Sequence, residues 1–187
     1  MKKLIIILLA MTTMGIIGSC ASLSKNQCLQ ANWYEIGNRD GSLGKPRSLF
    51  QSHYDACLEY GVHADRQAYY RGRAEGLQSY CTYDNGLAQG KLGKSYKQVC
   101  PPGLEADFLA GFEKGKRVHA YQSKVAALEN RCKSIERQIK SKEKKLYSSN
   151  TSDQERTALR NDLRVLDLQY REAAMELKVL HDNPPPE

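Results

Sequence analysis

Glu35, Asp40, Arg73 and Glu75 stand beside a repeated aromatic–glycine motif. A carboxylate pair could do acid–base work on a glycan. The 11 Tyr, 3 Phe and Trp33 would suit stacking on sugars. The same residues fit a plainer arrangement of helix-surface charge, Arg–carboxylate pairs and rings buried against glycine, and that arrangement is the expectation. His53 and Cys57 are four apart, so a helix would put them on one face. That spacing can serve zinc or a redox role. No C-x-x-C or H-x-x-x-H completes a site, so a disulfide cysteine beside a surface histidine is expected, with no metal and no cofactor. His63, His119 and His181 are scattered, and none forms a recognisable nucleophile–base set with a serine or cysteine. No catalytic residue is assigned, and the chain is expected not to be an enzyme.

The leading residues explain where such cysteines would reside. Lys2 and Lys3 precede an apolar run over 4–18, followed by Ser19 and Cys20. This order is that of a signal peptide, and the cysteine after small residues looks like a bacterial lipobox. It predicts cleavage after residue 19 and acylation of Cys20, with palmitate among the chains. Two or more acyl chains hold a protein stably on a bilayer. Ala21 in the second mature position, where no Asp stands, implies an outer-membrane lipoprotein facing the periplasm. Residues 20–27 are expected to be a lipidated linker. Apart from the leader, no apolar run approaches the ~18 residues a membrane span needs.

Without Lys2 and Lys3 the net charge falls from +7 to +5. In an exported protein such a balance argues against nucleic acid as a partner. It suits anionic envelope components or another envelope protein. A hydrophobic share of 41% excludes a wholly disordered chain. A mean hydropathy of −0.61 excludes a polytopic membrane protein.

The periplasm permits disulfides. Cys28, Cys57, Cys81 and Cys100 lie in the Gly- and Tyr-rich part and allow three pairings. The two sequential loops, Cys28–Cys57 and Cys81–Cys100, are the expected pairs. Cys132 is left over, as a buried thiol or as a bridge in a homo-oligomer.

Four segments share the form [Tyr/Phe]-x-x-Gly-x-x-x-Gly: Tyr34-Gly37-Gly41, Tyr69-Gly72-Gly76, Tyr83-Gly86-Gly90 and Phe108-Gly111-Gly115. Offsets of 0, 3 and 7 fall on one helical face. Each segment would present an aromatic ring and then a bare groove for close helix packing. Gly41 and Gly90 could instead be helix ends.

The run from Cys28 through Trp33-Tyr34-Glu-Ile-Gly37 to Asp40-Gly41 resembles the opening motif of a bacterial lipoprotein family known as domain of unknown function 2799. His53-x-x-x-Cys57, Tyr69-x-x-Gly72-Arg73-x-Glu75-Gly76 with Tyr80-Cys81-Thr82, and Tyr96-x-x-Val99-Cys100-Pro101 resemble the rest, in order. The likeness covers about residues 20–117. It implies export and oxidised cysteines, but no activity, cofactor or catalytic residue.

Beyond Pro101-Pro102 the composition changes. Val118, Tyr121, Val125, Leu128, Cys132, Ile135, Ile139, Lys142 and Leu146 alternate steps of 3 and 4, a heptad seam. A polar break follows, then Ser152-x-x-Glu155, which reads as a capping box. Leu159, Leu163, Leu166, Tyr170, Ala173, Leu177 and Leu180 form a second seam. The expected fold is therefore mainly α. A small disulfide-tied domain over 28–117 precedes an antiparallel helical hairpin, a coiled coil, over 118–181, and a disordered Pro-rich tail over 182–187. Between Arg131 and Lys145 seven basic residues face two acidic ones. This is a solvated face or a surface for anionic headgroups. The functional expectation is a non-catalytic envelope lipoprotein serving as a structural or partner-binding module. The alternatives are a peptidoglycan- or glycan-acting enzyme or sugar-binding protein using Glu35, Asp40 or Glu75, and a metal or redox role for His53, Cys57 and Cys132.

Overall fold

The computed structural model describes residues 22–185. Residues 1–21, which include the expected signal peptide and Cys20, and residues 186–187 lie outside them. All regular structure among the described residues is helical: α1 Lys25–Leu29, α2 Trp33–Ser42, α3 Leu49–Leu58, α4 Arg66–Tyr80, α5 Tyr83–Lys91, α6 Pro102–Leu146 and α7 Asp153–Asp182. By contacts the chain divides into two units, one up to Leu77 and one from Gln78. The division expected near 117 falls inside α6, an unbroken helix about 67 Å long at 1.5 Å per residue.

The stretch expected as a linker is part of the first unit from Ser22 onward. Ser24 caps α1 with a capping box to Gln27. Leu23 is 2% exposed and joins Cys28, Trp33, Phe50, Cys57 and Tyr69 in the core. Burial of an apolar side chain and a disulfide one turn later bind this segment too firmly for a linker.

In the first unit the glycines pack α2 against α4. A Cβ on Gly37 would come under 3.0 Å from the Tyr69 carbonyl, and one on Gly72 would meet the Tyr34 carbonyl likewise. Gly41 meets the Arg73 carbonyl and Gly76 that of Asn38. Contacts advance together along both helices, so the two run parallel and exchange under an approximate two-fold. The second unit repeats this with α5 and α6: Gly86 and Gly90 meet the Phe108 and Phe112 carbonyls, and Gly111 and Gly115 meet those of Tyr83 and Leu87. Hydrogens in place of Cβ atoms leave Cα–H bonds facing carbonyl oxygens. This close fit offsets the ~0.8–1 kcal/mol that each helical glycine costs relative to alanine.

Gly41 and Gly90 are buried seam residues in the last turn of their helices, not the caps. The left-handed turn falls three residues later, at Gly44 (φ 60°) and Gly93 (φ 66°). There Lys45 N–H donates to the Asp40 carbonyl and Lys94 N–H to that of Gln89, the 6→1 closure of a helix terminus. Gly41-Ser-Leu-Gly-Lys45 and Gly90-Lys-Leu-Gly-Lys94 thus end α2 and α5 alike.

Parallel helices need a crossover. In the first unit it contains α3, tied by the Cys28–Cys57 disulfide. In the second it is residues 92–101, tied by Cys81–Cys100. Both bonds are the sequential ones.

The two heptad seams face each other within the second unit. Leu128, Ile135 and Leu146 on α6 are buried, as are Leu159, Leu166 and Ala173 on α7. Lys124–Glu176, Arg131–Glu172 and Lys142–Asp162 pair in descending order, so the hairpin is antiparallel. Lys142, the one break in the seam, places its ammonium on Asp162 at 2.6 Å. Cys132 is free and half-buried on the seam. Arg156 donates to the Leu146 and Ser148 carbonyls and closes the turn. Helix α7 runs to Asp182, one residue past the expected end of the hairpin.

Candidate functional site

The densest polar cluster lies in the first unit, and the repeated motif positions it. Asp40 precedes the seam glycine Gly41 on α2, and Tyr69 opens the motif of α4. His53 projects from α3 in the crossover. His53 Nε2 donates to Asp40 Oδ2 at 2.9 Å, and the Tyr69 hydroxyl donates to the same oxygen at 2.9 Å. Asp40 and His53 are each 3% exposed and Tyr69 is 0% exposed. On its other side, His53 Nδ1 is hydrogen-bonded with Ser22 Oγ at 2.8 Å. One hydrogen-bonded line therefore joins Ser22, His53, Asp40 and Tyr69.

The electrostatics of the line follow from its geometry. Burial alone would raise the Asp40 pKa, but the hydrogen bonds from His53 and Tyr69 outweigh it and hold the carboxyl below its ordinary value. Burial, then the adjoining carboxylate, push the Tyr69 phenol well above its ordinary value, so it stays a donor. Asp40 is thus an anion with fixed donors.

Arg73 is the second buried ion. It is 7% exposed, donates from one terminal nitrogen to the Lys45 carbonyl at 2.8 Å, and has a buried Nε without a partner among the described residues. Burial lowers its pKa, and the neighbouring Arg47 charge adds to the effect.

The residues considered for catalysis are not brought together. Glu75 accepts the Tyr34 hydroxyl. Glu35 is exposed and lines a shallow hollow of about 360 Å³ with Leu23, Gln27 and Arg39. Asp40 is committed inside the core. Cys57 is bonded to Cys28 and so offers no thiolate beside His53, and the described residues contain no cluster of three potential ligands. His53 is no surface residue either, since its ring is sealed between Ser22 and Asp40. Within each helix pair one motif ring is buried (Tyr69, Phe108) and its counterpart is exposed (Tyr34, Tyr83).

Sequence reasoning missed Ser22 and the joining of Asp40 to His53. Thirteen residues and a helix change separate the latter pair. One available signal was that Asp40, next to a seam glycine, had to point close to the helix interface.

Residues 32–117 match the model of a family described as Protein of unknown function (DUF2799). No curated protein and no solved structure matches the chain.

Proposed function

We propose that this chain, whose residues 32–117 belong to the DUF2799 family, is a non-catalytic envelope module held on a membrane by acyl chains on Cys20. The observation that carries the reading is the fastening of its first described residues. Ser22 is bound to His53, and Leu23 is buried in the core. Two extended residues span about 7 Å, so a lipid on Cys20 would seat the first unit directly at the bilayer surface. The imidazole and carboxylate that chemistry would use are occupied in that fastening. Ala21 supports an outer-membrane, periplasm-facing address. The hairpin of α6 and α7 then supplies a long polar surface for another envelope component.

Crosslinking in native envelopes followed by purification of the chain tests this. A reproducible envelope partner, lost when α7 is deleted, is the expected result. Recovery of no reproducible partner would count against a binding module.

One observation favours a second reading. The order Ser22–His53–Asp40 is that of a serine hydrolase relay, with the two ring nitrogens exchanged. A fluorophosphonate probe that labels the native protein, but not Ser22→Ala, would establish it. Absence of label leaves the fastening role.

A further inference from the structure

The two units offer an internal comparison. Glycine-for-glycine alignment of the seams sets Tyr69 opposite Phe108 and Arg73 opposite Phe112. The shared Gly-x-Leu-Gly-Lys turn sets Lys45 opposite Lys94 and Arg47 opposite Tyr96. In the second unit these positions are aromatic and packed: Tyr96 lies 5.0 Å from Phe108 and 6.0 Å from Phe112, and Phe108 and Phe112 are buried. The scaffold therefore accepts an apolar pair there. In the first unit the same two positions hold arginines.

A buried arginine is ordinarily paired, because stripping water from an unmatched charge is costly. None of Arg47, Arg66, Arg71 and Arg73 has a carboxylate at ion-pair distance among the described residues. Asp40, whose charge acts on Arg73, spends its carboxylate on His53 and Tyr69. Arg47 stacks on the Tyr70 ring at 4.7 Å, and Arg66 lies over Phe50 at 5.3 Å. Arg66, Gln67, Tyr70, Arg71 and Ala74 line an open hollow of about 540 Å³. Arg47 and Arg66 thus lie on aromatic rings, Arg66 and Arg71 share the hollow beside Tyr70, and Arg47 and Tyr70 also act on the buried guanidinium of Arg73.

We propose that Arg47 and Arg73, with Arg66 and Arg71 around Tyr70, form a binding site for a phosphate group. Guanidinium forks match phosphate oxygens two at a time. A phosphate would supply the counter-charge that these guanidiniums lack. The chemistry is common to a free phosphate monoester and the phosphodiester of an anionic lipid. The inference does not depend on the anchoring proposed above, because no residue it uses lies before Asp40.

The comparison also provides the variant. Arg47→Tyr with Arg73→Phe restores the pair that the second unit already packs, so it should fold. Thermal unfolding of the full chain in neutral detergent is measured against inorganic phosphate, with chloride at equal ionic strength as reference. A second arm uses micelles doped with phosphatidylglycerol. Wild type should show a saturating rise in Tm of about 3–8 °C with one of the two. The arm that responds identifies the source. The double variant should unfold cooperatively and lose the rise. No rise in either arm, or a rise of equal size in the double variant, overturns the proposal.

Discussion

Gly72 lies against the backbone carbonyl of Tyr34, leaving no room for a methyl group. The obstacle is backbone on a facing helix, which cannot rotate aside as a side chain would. Gly72→Ala should therefore destabilise the protein by about 3 kcal/mol or more, well beyond the ordinary helix preference for alanine. Gly103, with open space around its Cβ position, is the control. Gly103→Ala should be neutral or stabilise by up to ~1 kcal/mol. Urea unfolding of both variants checks the contrast, and equal effects would remove the glycine seam as the organising contact.

Asp40 sets an acid limit on stability. Its carboxyl is held below the ordinary value in the folded state by His53 and Tyr69. Its contribution is therefore complete above the unfolded pKa of about 3.9 and is lost as pH falls through the lower folded value. Asp40→Asn should cost about 2–3 kcal/mol at pH 7. The gap between variant and wild type should narrow below pH ~4. Denaturation at pH 7 and pH 3 measures it, and a gap that widens in acid would contradict the assignment.

Each disulfide closes a loop, over sequence separations of 29 and 19 residues. Loop-closure entropy assigns about 3–4 kcal/mol to each. Replacing Cys28 and Cys57 together by Ser should lower stability by about that amount. The Cys81–Cys100 bond should persist in a non-reduced digest.

In the hairpin, apolar burial should outweigh the surface ion pairs. Leu166 is buried on the seam, and Leu166→Ala should cost about 2–4 kcal/mol. The Lys142 side chain is half-buried and that of Asp162 exposed, so the pair is partly screened by solvent and Lys142→Ala should cost about 1 kcal/mol or less. Chemical denaturation of the two variants ranks them, and the reverse order would contradict the heptad account.

Periodicity made much of this architecture legible. The heptad steps gave both hairpin faces, including the exception at Lys142, because a coiled helix writes its buried side at fixed intervals. The aromatic–glycine spacing marked the close-packed faces for the same reason. It did not say which segment faces which, since four equivalent grooves allow several pairings. Nor did it mark Ser22 as part of the core. Two residues past Cys20, in a stretch with little periodic signal, its role depends on His53, which α3 delivers from 31 residues away. The burial of Arg73 was equally hidden. An Arg-x-Glu sequence on a helix reads as surface charge until the facing helix is in place.

The central claim is that residue 22 sits fixed in the fold two residues from a lipid-bearing cysteine. Mass spectrometry of the N-terminal peptide from envelope-derived protein tests it most directly. The account predicts a peptide that begins at Cys20 and carries acyl chains. An unmodified Cys20 still joined to residues 1–19 would contradict it.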